Sequence, residues 1–470
     1  MAKTWGKAFA QPAIEFAPTP LPVLAGQLPT DLRGSYYHNG PGRLERGNQR
    51  VGHWFDGDGA IVGIQFCGGP ENQATATYRY VQTAGYQREQ ESDRFCHSNY
   101  GMTYPGPLWQ RWGKDLKNAA NTSVLALDDR LLALWEGGAP HALDLQSLET
   151  HGIDRLGLGD QDAYSAHPKR EPHSGLIYNF AVSLGPKPAL SLYCHDRRGR
   201  LQRRHRHPLE GCPLIHDFVL AGDYLVFCIS PVRLNLWPVA LQLHSYSESL
   251  QWKPELGTEL LIFDRHSLTL VSRHTTDPWF QWHYSNGWQD DRGHVVVDLV
   301  RYEDFRTNQY LKQVATGQTS LETPARLWRL VLDPKTAQVL DSQPLHPAWS
   351  EFPQVSPECV GQAPTASLRG TVFVQHRPQY DPTGELFGAI GYLDPQGKIT
   401  VTDLGEDRYP CEPIWAGDWL LTLVFDGANN QSELWVWQGD RPGADPVCRL
   451  QCPEVIPYGF HGTWAPASPA

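Results

Sequence analysis

A short apolar run, a turn and a second short apolar run recur along this chain, and few folds accommodate that pattern. Ser123–Trp135 reads SVLALDDRLLALW and turns at Asp128-Asp129. Phe218–Ile229 reads FVLAGDYLVFCI and turns at Gly222-Asp223. Leu260–Val271, Leu327–Val339, Ala389–Val401 and Ile414–Val424 repeat the same plan. Each half is four to six residues long, rich in Leu, Val, Ile or aromatics, and broken by Asp, Gly or Pro. That is the pattern of β-hairpins. Six such units in one chain imply an all-β propeller or a large sandwich. A length of 470 residues suits a propeller of six or seven blades. No strict repeat of about 40 residues is visible, which disfavours a WD40-type array. The 38 prolines and 43 glycines agree with many turns and few long helices.

No linker divides the sequence, so residues 1–470 are read as a single domain. An extended arm over about 1–28 precedes it, and a short tail over about 465–470 closes it. The first residues carry no apolar run of the signal-peptide kind, and no stretch reaches the length of a membrane span. Nine scattered cysteines contain no CxxC pair. That argues against a disulfide framework or a zinc site and for reduced thiols in a cytoplasmic protein. The net charge of −11 argues against nucleic-acid binding. One basic cluster, Arg197–His207, is read as an exposed hairpin turning at RRGR, because no aromatics interleave its arginines. The 17 tryptophans against two methionines point to a stiff aromatic interior or pocket.

Nineteen histidines raise the question of a metal. Four sit beside strand-like segments: His167 in SAHPK, His216 in LIHDFVL, His283 in FQWHYSNGW and His461 in PYGFHGTW. They lie far apart in sequence, and a propeller is one of the few folds that brings such residues to one axis. No HExxH-type local motif supports them. From the residues alone, a dispersed metal site and four structural histidines both remain open.

Several motifs occur together and in order. LPTDLRGSYYHNGPG (Leu28–Gly42) is followed by WFDGDG (Trp54–Gly59), AHPK (Ala166–Lys169), His216-Asp217-Phe218, Trp282-His283, Glu351-Phe352-Pro353 and PYGFHG (Pro457–Gly462). In these the sequence resembles the carotenoid cleavage oxygenases, most of all the cyanobacterial-type apocarotenoid oxygenases. His38 stands where the family usually has arginine, and Gly287-Trp288 where Ala and Tyr are common.

The resemblance implies a seven-bladed β-propeller, with loops and short helices capping the metal face. It implies Fe(II) held by His167, His216, His283 and His461. Glu136, Glu351 and Glu412 would stand behind three of them, with the pairing left open. Thr122 matches a small residue beside an open iron position. Trp135, Trp282 and Phe352 adjoin these groups and are expected in a substrate tunnel or, since neighbours on a strand face opposite ways, between blades. The implied reaction cleaves a C=C bond of a carotenoid or apocarotenoid with O2, giving aldehydes such as retinal-type apocarotenals. Stilbene-type phenolic olefins are an alternative substrate on the same site. A non-enzymatic propeller that binds partners is another alternative. A monomer is expected. Residues 231–243, PVRLNLWPVALQL, read either as an interblade segment or as an apolar patch that meets a membrane interface.

Overall fold

The computed structural model describes all residues except 1–2, 70–71, 366–368, 380, 440, 442 and 468–470. All six hairpins read from the sequence are present as antiparallel pairs. Ser123–Ala126 pairs with Leu131–Leu134, and Val219–Ala221 with Tyr224–Ile229. Thr258–Asp264 pairs with Leu270–Thr276, and Ala325–Leu332 with Val339–Pro344. Ala389–Leu393 pairs with Ile399–Asp403, and Ile414–Ala416 with Trp419–Asp426.

These hairpins extend into larger, mainly antiparallel sheets, and the architecture is all-β and propeller-like. The expectation of seven separate blades needs correction. Hydrogen bonding joins Val219–Ala221 to Tyr284–Gln289 through one parallel pair, Ala221 with Gly287. Strands that read as two units in the sequence thereby share one eight-stranded sheet. Gly287 permits this contact, because a Cβ there would lie 2.8 Å from the Ala221 methyl.

The chain closes on itself. Gly462–Pro466, near its end, pairs with Gly34–Arg43 near its start, His38 opposite Gly462. The N-terminal arm is less extended than expected. Thr4–Phe9 forms a 3-10 helix that buries Trp5 and Phe9. Phe16–Pro20 pairs with Ala74–Tyr80, and Val23–Gly26 with Cys448–Gln451, so the arm staples the first sheet to the last. Ala465 and Pro466 also belong to a strand rather than to a tail; residues 468–470 of that expected tail lie outside the described residues.

Apolar side chains pack between adjacent sheets in separate clusters rather than in one core. Phe180 and Phe227, from neighbouring sheets, meet edge to face with centroids 5.4 Å apart. Each fully buried side chain of this kind contributes about 1.5–3 kcal/mol. The basic segment Leu201–Pro208 is an outer strand whose residues alternate half-buried and exposed. Its arginines blunt an open sheet edge, and Arg204 makes a two-point pair with Asp162 at 2.8 and 2.9 Å. Helices are short. Two of them, Leu236–Ala240 and Thr307–Val314, border the large cavity described next. Among the described residues no helix is long and apolar enough to cross a membrane.

Candidate metal centre

His167, His216, His283 and His461 converge, and their candidate ligand atoms all lie within 4.8 Å of one another. All four are buried. Nε2 of His216 and Nε2 of His283 are 3.3 Å apart. The Nε2 atom of His167 is buried without a hydrogen-bond partner. Buried polar atoms are rarely left unpaired, so converging imidazole nitrogens of this kind fit a metal ion.

The orientation comes from behind. Nδ1–H of His283 donates to Glu351 Oε2 at 2.6 Å, and Nδ1–H of His461 donates to Glu412 Oε1 at 2.9 Å. Nδ1 of His216 contacts Oε1 of Glu136. This settles the pairing that the sequence left open. Each carboxylate fixes a tautomer in which Nε2 keeps a lone pair for a metal. His167 has no such hydrogen bond; Glu136 Oε1 lies 3.9 Å from its Nε2. Burial, followed by the neighbouring histidines, holds the His167 and His283 imidazoles well below their usual pKa. They are therefore neutral at neutral pH, as metal ligation requires.

The glutamates are themselves held. Tyr302 donates to Glu351 Oε1 at 2.7 Å, and the Phe352 N–H donates to Oε2 at 2.8 Å. Burial pushes the Glu351 carboxyl up to about 7, against the pull of these bonds. Glu412 accepts from Gln354 Nε2 at 2.6 Å and from the Gly462 N–H at 2.9 Å. Glu136 is more open, with about a third of its side chain exposed.

Backbone irregularities aim these groups. Glu351 pairs with Val374 but Gln354 pairs with Val372, so the strand carries an extra residue. Phe352 sits there at φ +51°. A bulge of this type breaks the in-out alternation of a strand. Glu351 and Phe352 both border the same cavity as a result. His461 is anchored through its backbone, donating to Thr122 O at 3.2 Å and accepting from Asn39 N–H at 3.0 Å. Gly459 is obligatory in that loop, because a Cβ there would come within 2.3 Å of the His38 ring. The unusual His38 is thus a buried packing residue beside the centre.

Sequence reasoning did not single out Asp217. Its carboxylate accepts from the Phe218 and Tyr284 N–H groups at 2.8 and 3.1 Å and pairs with Lys169 Nζ at 2.8 Å. Lys169 follows His167 by two residues, Asp217 follows His216, and Tyr284 follows His283. One carboxylate therefore ties three of the four histidine segments together. Tyr302 was also missed, and nothing in its local sequence marks it.

His216, His283 and His461 open onto a cavity of about 1260 Å³. Thr122, Trp135, Trp282 and Phe352 all border it. The edge of Trp282 meets His216 with centroids 4.7 Å apart, and the Phe352 ring stacks on His283 at 5.2 Å. Neither ring is confined to interblade packing.

The family model described as retinal pigment epithelial membrane protein matches residues 9–466. The chain belongs to that family, the carotenoid oxygenases. It is 30% identical to the apocarotenoid-15,15'-oxygenase of Synechocystis sp., over 94% of this chain and 92% of that one. It is 25% identical to resveratrol cleavage oxygenase 1 of Aspergillus fumigatus, over 93% of this chain and 91% of that one. A cobalt-substituted Synechocystis apocarotenoid oxygenase superposes with a TM-score of 0.88 at 28% identity, covering 99% of this chain and 98% of the other. Like other members of this family, the chain is an oxygenase of the carotenoid-cleaving class, and its four buried histidines are the family's metal-site candidate.

Proposed function

We propose that His167, His216, His283 and His461 hold one Fe(II) and that the chain cleaves a carbon–carbon double bond of an apocarotenoid with dioxygen, giving two aldehydes. The observation that carries this reading is the arrangement of the imidazoles. Three are fixed from behind by Glu136, Glu351 and Glu412, and the four converge beside a large aromatic cavity. Imidazole suits iron, and four protein ligands leave positions open. When bound, iron supplies dioxygen binding and activation. The chain's own residues do the rest. Trp282 and Phe352 flank the histidines with flat apolar faces that orient a polyene and keep water out. Thr122 narrows the space beside the centre; its hydroxyl donates to Asn121 Oδ1 at 3.2 Å. No side chain is required to move a proton, because both product oxygens come from O2.

The substrate is lipid-soluble, and the surface suits that. Trp109, Trp112 and Trp237 are 73%, 61% and 77% exposed. The Trp112 indole N–H donates to Leu241 O at 3.4 Å, which joins the two segments. Leu116, Trp237 and Ala240 border both this surface and the cavity. We read the patch as a membrane-interface contact at the cavity mouth, where tryptophan is favoured. Part of 231–243 is nevertheless interior, since Leu234 is buried.

The test is anaerobic reconstitution with Fe(II), followed by product analysis in air with a panel of apocarotenals and stilbenes. Paired aldehydes from an apocarotenal support the proposal. Cleavage of stilbenes alone, or of nothing, rejects it.

A further inference from the structure

The cavity also presents hydrogen-bonding groups that the metal centre does not use. Tyr310, Trp349 and His376 border it. Among the described residues, none of these three side chains hydrogen-bonds to protein. The Trp349 and His376 rings meet edge to face at 5.5 Å, and the His376 backbone N–H donates to the Trp349 carbonyl at 3.1 Å. Phe387 packs on His376 at 4.9 Å. Tyr310 borders the same cavity as Leu386 and Phe387, and burial, followed by the nearby Glu385 carboxylate, holds its phenol above the usual pKa. This corner lies on the Glu351 side of the centre: Trp349 precedes Glu351 by two residues, and Tyr302, bonded to Glu351, precedes the helix that carries Tyr310. The exposed Trp237 borders the cavity from another segment.

A hydrocarbon cannot satisfy an indole N–H, an imidazole and a phenol. Each such group desolvated without a partner weakens binding by about tenfold. Burial brings the His376 imidazole down to about 4, so it is neutral and can donate or accept. Indole donates, and phenol does either. Together they match a carbonyl or hydroxyl oxygen.

We propose that Tyr310, Trp349 and His376 bind the oxygen at one end of the substrate, so that the chain selects apocarotenoids oxygenated at that end over the corresponding hydrocarbons. This rests on the oxygenase reading above and adds to it which end of the ligand is recognised.

The test is equilibrium binding to the ferrous full-length protein, kept anaerobic and followed by quenching of tryptophan fluorescence. The ligands are an apocarotene hydrocarbon, the matching terminal aldehyde, and the aldehyde carrying a ring hydroxyl. The wild type should bind at least one oxygenated ligand about tenfold more tightly than the hydrocarbon, the range one or two buried hydrogen bonds supply. His376→Phe and Tyr310→Phe should each remove most of that preference while the hydrocarbon Kd stays within about twofold. Which ligand loses affinity distinguishes carbonyl from hydroxyl. An unchanged preference, equal weakening for all three ligands, or no saturable binding overturns the proposal. Admitting air separates the two readings. Aldehyde products with an unchanged preference overturn only this inference. A preference that the variants abolish, without products, overturns only the oxygenase reading.

Discussion

Three of the four histidines of the centre are set by the carboxylates that stand behind them. Glu412 is almost fully buried and holds His461 while accepting from Gln354 and the Gly462 N–H. Glu351 is similarly enclosed by Tyr302 and the Phe352 N–H. Removing such an outer carboxylate weakens metal retention or turnover by about 10–100-fold. Glu351→Gln and Glu412→Gln should reach that range in iron retained after dialysis against a chelator. Glu136→Gln should lose less, because that side chain is about a third exposed and water can substitute for it. Wild-type retention in all three would contradict this picture. Asp217→Ala should loosen the site without touching a ligand. It frees two backbone N–H groups and Lys169, a loss of about 2–4 kcal/mol, visible as a lower urea midpoint and faster iron loss. The four histidines and Glu351 were readable because each sits in a motif that carries the family resemblance, and Glu136 and Glu412 were implied by that resemblance. The pairing was not, because His283 and Glu351 are 68 residues apart and only tertiary packing brings them together. Asp217 lay within a recognised motif, but its three partners come from three segments.

At the scale of elements, alternation and turn chemistry placed the six hairpins read from the sequence, since period-two patterning is a local property. Two features escaped it. The bulge at Glu351–Gln354 depends on register against Thr371–Gln375, which sequence does not display. The single parallel pair between Ala221 and Gly287 merges two sheets, so strand counting overestimates the number of separate sheets. The exposed segments give a prediction of their own. Because Leu234 is buried, serine there would damage packing, and the informative change is Trp109, Trp112 and Trp237 together to Ser. That variant should keep its iron and its melting temperature but lose most liposome binding in a flotation assay. With a net charge of −11, the wild-type binding should depend weakly on salt. Undiminished flotation of the variant would remove the membrane role from this surface.

Across the whole molecule, closure of the first sheet by the last strand puts folding and metal site under one set of contacts. Protonation therefore acts on both. Burial lowers His38, His141, His195 and His376 to about 4, and His53 to about 3, from 6.5. These groups are neutral in the folded chain and take up protons on unfolding. Their stabilising contribution is complete above about pH 6.5 and is lost as pH falls toward 4, each adding about 1.4 kcal/mol per pH unit to the slope. Asp56 and Glu351, pushed up to about 7 by burial, act in the opposite sense and offset part of this. Thermal unfolding should move to lower temperature between pH 6.5 and 4, and a Tm flat across that window would contradict it. The all-β architecture and the four converging histidines followed from patterns and motifs distributed along the chain, whereas this titration depends on burial that no local pattern reveals. The most direct measurement is iron content per chain in the wild type and in the four single alanine variants of His167, His216, His283 and His461. The expected result is about one iron in the wild type and on the order of a tenth or less in each variant, as for a mononuclear site that loses a ligand. Wild-type iron in His283→Ala would contradict the four-histidine centre.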